Sequence, residues 1–146
     1  MDIYFDHAAT TPCSKEVVDS MQPYFSEKFG NPSSIYNIGR EAKSVLEESR
    51  QKVADLLGAA KSTEIIFTSG ATESNNLALK GVSEAAAHIL RNRPHIITTS
   101  IEHHSVLDTV KHLEKEYGAE VTFLPVNHEG LVDPAEVEKA IRDIRL

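Results

Sequence analysis

The chain has 146 residues, 40% hydrophobic and 25% charged, with a formal net charge of −7. Those proportions fit a soluble globular domain, and an acidic chain without a basic cluster is a poor partner for nucleic acid or an anionic membrane. No apolar run approaches the ~20 residues of a membrane span. Met1-Asp2-Ile3-Tyr4 has neither the basic nor the apolar region of an export signal, and the single cysteine, Cys13, allows no internal disulfide, so a cytoplasmic location is expected.

Residues 1–13 mix β-formers with small residues and predict an extended arm. A short helix follows, marked by Val17, Val18, Met21, Tyr24 and Phe25, with Pro23 disturbing its end. Phe29-Gly30-Asn31-Pro32-Ser33-Ser34 is loop chemistry. Ala42, Val45, Leu46, Ser49, Val53, Leu56 and Leu57 then fall on one helical face, and Gly58 is a C-terminal stop. From Ser62 onward strand and helix alternate. The predicted order is a strand at 64–68, a helix at 74–87, a strand at 95–99, a helix through Val106–Tyr117, and a strand at 120–126. Asn127–Gly130 then turns the chain into a last helix that opens at Asp133-Pro134 with Glu136 three residues on. This βαβαβα order implies α/β architecture with a parallel sheet and right-handed crossovers.

Two segments could carry chemistry. The turn Thr68-Ser69-Gly70-Ala71-Thr72-Glu73 leads straight into a predicted helix, so free backbone N–H groups and the positive end of the helix dipole face it. Such a turn binds phosphate, with the Thr72 hydroxyl as a further donor, or is a plain connection with Thr72 as a cap. Neither a nucleotide P-loop nor a dinucleotide fingerprint is present. The second segment, Ser100-Ile101-Glu102-His103-His104, follows a strand, where ligands of open α/β sheets gather. A histidine there stacks on a planar ring, shuttles protons, or merely caps the helix. Adjacent histidines diverge by about 100° on a helix and the H-E-x-x-H spacing is absent, so no metal site is expected. Cys13 has no identifiable base and reads as an ordinary small residue.

Together these segments resemble the group I cysteine desulfurases, fold-type I pyridoxal-phosphate enzymes related to the class V aminotransferases. The resemblance rests on Tyr4-Phe5-Asp6-His7-Ala8-Ala9-Thr10-Thr11-Pro12, on the Phe29–Ser34 loop, on Glu64 through Asn76 with its Ser69-Gly70-Ala71-Thr72-Glu73 turn, and on Ile101-Glu102-His103-His104, and it runs to about Ile141. The Asn-Pro-Ser-Ser loop points to group I and away from group II and other class V enzymes. The resemblance implies that Ala71 and Thr72 hold the phosphate of pyridoxal 5'-phosphate, that His103 stacks on its ring and helps move protons, and that Ala9-Thr10 lines the substrate pocket. It implies residues 1–61 as arm and helices of the small domain and dimer region, and 62–146 as the first, incomplete part of the cofactor-binding large domain. It also implies a homodimer that takes sulfur from L-cysteine as an enzyme persulfide, releases L-alanine, and serves an iron–sulfur scaffold or tRNA thiolation.

In that family the cofactor-bearing lysine and the persulfide cysteine lie further along. Neither Lys61 nor Lys80 matches the lysine, and Cys13 does not match the cysteine. The expectation is therefore an N-terminal fragment with no catalytic residue of its own, inactive alone, with unpaired strand edges, uncovered apolar helix faces and marginal stability. Two alternatives stand beside it: a non-catalytic module that pairs with desulfurase subunits, and a part of another pyridoxal-phosphate enzyme of aminotransferase type.

Overall fold

A computed structural model of the chain describes residues 3–90 and 93–142. The expected start of the chain at Met1-Asp2 and its end at 143–146 lie outside the described residues. The chain divides into two compact units, Met1–Ile66 and Phe67–Leu146.

The first unit opens with an arm without regular secondary structure. Helix α1 (Lys15–Met21) is capped by Ser14, whose side chain accepts from the Val17 N–H. Pro23 takes the first position of a four-residue helix, α2 (Pro23–Ser26), so the disturbance expected there is a break into two helices. Helix α3 (Asn37–Leu57) starts five residues before Ala42, the first of the periodic positions read from the sequence, and Ile38 continues that face one turn earlier. It ends at Gly58, whose φ of 71° is the left-handed conformation that a glycine cap adopts without steric cost. The loop before α3 is organised by Asn31, whose Oδ1 accepts from the Ser33 N–H at 2.9 Å while its carbonyl accepts from the Ser34 N–H at 3.0 Å.

The strand expected at 64–68 is not formed. Ser62–Glu64 is a 3-10 turn, and residues 65–68 run on without a ladder. Ile65 has extended dihedrals (φ −92°, ψ 122°), and its carbonyl accepts from Arg50 Nη1 at 2.6 Å. An apolar stretch becomes a strand only when another strand pairs with it. Among the described residues the sheet has two strands, and neither pairs with this one.

The second unit holds α4 (Ala71–Leu90), β1 (His95–Thr99), α5 (His104–Tyr117), β2 (Glu120–Leu124) and α6 (Pro134–Ala140). Strands β1 and β2 are parallel, in register from His95 opposite Glu120 to Thr99 opposite Leu124. Strand β1 has the predicted bounds, whereas β2 ends two residues short of Val126. Helix α4 is longer than predicted at both ends. Helix α5 packs on α4 and buries Ser105, Thr109, Val110 and Leu113, a run at four-, one- and three-residue steps on a single face. Gly118 closes α5 in the left-handed conformation (φ 67°). Asp133 caps α6 through Ala135 N, with Pro134 at the first position, as the sequence predicts.

The buried apolar residues among those described are Ala54 in the first unit and Val110, Leu113, Ala119 and Leu124 in the second. Large apolar side chains on the helices stand in the open, Leu56 at 84% and Leu57 at 70% exposure on α3 and Val82 at 70% on α4 among them. The expectation of uncovered apolar helix faces is met for α3 and α4.

Candidate cofactor cleft

The turn into α4 is braced from both sides. The Thr68 hydroxyl donates to the Gly70 carbonyl at 3.1 Å. Its single proton is then committed, so the Ser74 hydroxyl donates to Thr68 Oγ1 across 2.6 Å. On the other side, Glu73 Oε2 accepts from the Ser69 N–H at 2.7 Å and from the Ser69 hydroxyl at 2.6 Å. These two bonds, the hydroxyl's first, hold the Glu73 carboxyl below the ordinary carboxylate value. Glu73 is the third residue of α4, where its charge also complements the helix dipole. The tie to Ser69 engages the one carboxylate of the first turn.

Ala71 and Thr72 are the first two residues of α4, so their N–H groups have no intrahelical acceptor. Thr72 is a helix residue rather than a cap. Its carbonyl accepts from Asn76 Nδ2 at 3.0 Å, and it is exposed.

His103 is the N-cap of α5. Its Nδ1 accepts from the Ser105 N–H at 3.0 Å and lies 2.9 Å from the Ser105 hydroxyl. The capping role that the sequence left open is real, and it leaves the imidazole exposed. Capping and ligand contact are therefore compatible for this side chain. The neighbouring His104 ring meets it edge-on at 6.3 Å, and His104 Nδ1 lies 3.9 Å from Asp108 Oδ2 on the exposed side of α5. Among the described residues no three potential metal ligands come together.

Packing of α4 on α5 brings the two segments to one place. An open cleft of about 410 Å³ is lined from α4 by Thr72, Asn76 and Lys80, which follow at four-residue steps and so share a face. From α5 it is lined by His103, His104, Asp108 and His112. Thr72 and His103 thus share a cleft, and Lys80 puts a cation on its wall. Ala9 and Thr10 belong to the first unit, where Thr10 Oγ1 hydrogen-bonds the Tyr4 hydroxyl at 2.7 Å. Cys13 is exposed beside Ser14. A larger groove of about 580 Å³ runs between α1–α2 and α3 in the first unit. Its charged lining is Glu16, Glu48 and Lys52, a net negative set that disfavours a phosphate.

Sequence reasoning did not give Asn75, Ser105 or Lys80 a part in this site, and it placed Glu73 in the turn without the role of bracing it. The spacing from Thr72 to Asn76 and Lys80 is legible once α4 is known to begin at Ala71. Asn75 Nδ2 donates to the Ser105 hydroxyl at 2.8 Å, a contact that depends on the packing of α4 on α5 and leaves no local mark.

The class V aminotransferase model matches residues 3–145, and the chain belongs to that family. It is 54% identical to the cysteine desulfurase IscS of Dictyoglomus turgidum, over 97% of this chain and 34% of that one. Among solved structures it superposes on a NifS-like protein with a TM-score of 0.87 at 42% identity, covering 97% of this chain and 37% of the other. It superposes on SspA in complex with cysteine with a TM-score of 0.84 at 44% identity, covering 95% and 39%. The fold is accordingly that of the N-terminal region of fold-type I pyridoxal-phosphate enzymes. The chain spans about a third of the length of the relatives it matches.

Proposed function

We propose that this chain supplies the phosphate-binding and ring-stacking part of a pyridoxal-phosphate-dependent cysteine desulfurase. The observation that carries the reading is the shared cleft of Thr72 and His103. One comes from the first turn of α4, the other from the N-cap of α5, and the relatives with this fold are cysteine desulfurases. The residues present fit the cofactor's chemistry. The free N–H groups of Ala71 and Thr72 and the Thr72 hydroxyl are donors for a phosphate. Lys80 and Asp108 balance in formal charge, so no net negative charge opposes a phosphate, and the exposed His103 imidazole offers a flat face to a pyridine ring. When bound, pyridoxal phosphate supplies an electron sink for bond cleavage next to an amino group. The chain's own residues bind the phosphate, orient the ring and hold a proton at the His103 imidazole.

The whole reaction read from the relatives takes L-cysteine to L-alanine and moves its sulfur to an enzyme thiol. An iron–sulfur scaffold or another sulfur acceptor receives it. A cytoplasmic homodimer fits this reading: no helix among the described residues is long and apolar enough to cross a membrane, and the exposed apolar side chains offer surface to a partner subunit. The test is the reaction of the protein purified from its own source. With pyridoxal phosphate and a thiol reductant it should release alanine and sulfide from L-cysteine in equal amounts. An enzyme that exchanged amino groups with a keto acid and released no alanine from cysteine would be an aminotransferase and would overturn the proposal.

A further inference from the structure

The two walls of the cleft are joined by a chain of hydrogen bonds whose direction follows from chemistry. The backbone N–H of Ser105 donates to His103 Nδ1 at 3.0 Å. A peptide N–H is only ever a donor, so Nδ1 presents its lone pair and carries no proton. The Ser105 hydroxyl lies 2.9 Å from the same nitrogen. Facing an unprotonated nitrogen, the hydroxyl can bond to it only as a donor, sharing the one Nδ1 lone pair with the Ser105 N–H. Its oxygen then has only acceptor capacity left, and Asn75 Nδ2, 2.8 Å away, donates to it. One fixed backbone donor therefore sets the polarity of Asn75 to Ser105 to His103, and the proton of the neutral imidazole sits on Nε2. Ser105, the middle member, is 9% exposed, so water competes poorly for its hydroxyl, and Asn75 is half-buried. Asn75 stands three residues after Thr72 on α4, nearly one turn on.

We propose that Asn75 and Ser105 are positioning residues of the cofactor cleft. They lock His103 in the Nε2–H tautomer and tie its ring to the helix that carries Thr72. The lock leaves Nε2–H as the one ring N–H that His103 can offer a ligand. Second partners of this kind fix a histidine's tautomer and orientation wherever its other nitrogen has work to do. The proposal deepens the cofactor reading of the cleft and rests on it for its functional meaning.

The test is a long-range ¹H–¹⁵N spectrum of the chain with labelled imidazoles, recorded well above the ordinary imidazole range so that the rings are neutral. Wild type should show His103 with a pyridine-type Nδ1 and a pyrrole-type Nε2. Ser105→Ala removes the hydroxyl and keeps the backbone donor. It should raise the ratio of Nδ1–H to Nε2–H tautomer about fivefold, the factor that one net hydrogen bond is worth. Asn75→Asp should shift the ratio the same way, because a carboxylate draws the Ser105 proton to itself. Ser105→Thr keeps the hydroxyl and should keep the wild-type pattern. A proton on Nδ1 in wild type overturns the proposal, as do wild-type spectra from both Ser105→Ala and Asn75→Asp. If Ser105→Ala fails to fold, the wild-type and Asn75→Asp spectra still decide. Adding pyridoxal 5'-phosphate separates the two claims. If the Ala71 and Thr72 amides do not move while the tautomer is as stated, the cofactor reading fails and the lock stands.

Discussion

Gly39 is the third residue of α3 and is buried. A Cβ there would lie 2.6 Å from the Asn31 carbonyl oxygen, 2.8 Å from that of Ser34 and 2.9 Å from Ser34 Cβ, all closer than the 3.0 Å that real Cβ atoms respect. The two oxygens are backbone atoms of a loop held by its own Asn31 turn, so they cannot swing aside. Gly81, within α4, has no atom within 4 Å of the same built position. Gly81→Ala gains helix propensity, about 0.8–1.0 kcal/mol in a helix interior, and Gly39→Ala, in a first turn, gains at most that. That gain largely cancels in the comparison. What remains is the clash at Gly39, about 1–3 kcal/mol for overpacking. Gly81→Ala should therefore stabilise, and Gly39→Ala should fall about 1–3 kcal/mol below it. Urea denaturation followed by the helical circular dichroism signal reads both, provided the slopes agree. A Gly39→Ala variant as stable as Gly81→Ala would refute the claim that this glycine is required by the approach of the Asn-Pro-Ser-Ser loop.

Leu113 is fully buried, and Leu113→Ala should cost about 2–5 kcal/mol in the same titration; a loss under about 1 kcal/mol would show that α5 is not the core of its unit. Gly118→Ala places a Cβ at φ 67° and should cost about 1–2 kcal/mol, with Gly118→Asn costing less; equal losses would refute the conformational argument. The Glu73 carboxyl is held low by Ser69, so the tie contributes above the unfolded glutamate value of 4.5 and is lost as pH falls through the lower folded value. The Ser69 amide resonance should accordingly titrate with a midpoint below 4.5, and a midpoint at or above that value would break the account of the turn.

Local signals in the sequence carried much of this structure. Gly58 and the Asp133-Pro134-Ala135-Glu136 run name their own caps, and the β-rich His95–Thr99 segment declares its strand. The 64–68 segment has the same local character and forms no strand, because a ladder is a non-local object. The early start of α3 was only faintly marked: Ile38 continues the apolar face one turn before Ala42, but Tyr36 offers no side-chain cap to signal the first turn. At the site, the Gly-Ala-Thr turn and His103 were legible as chemistry-bearing types at chain positions that favour ligands. Their partners were not. Ser105 reads as an ordinary helix residue until α4 brings Asn75 within 2.8 Å of its hydroxyl.

The measurement that bears most directly on the account is where pyridoxal 5'-phosphate lands on this chain. In a titration followed by backbone amide and imidazole resonances, the largest shifts should fall at Ala71, Thr72 and His103. Thr72→Ala should lose about tenfold or more in affinity, the value of a hydrogen bond to a charged group. Shifts confined to the groove between α1–α2 and α3, or an affinity indifferent to Thr72, would contradict it.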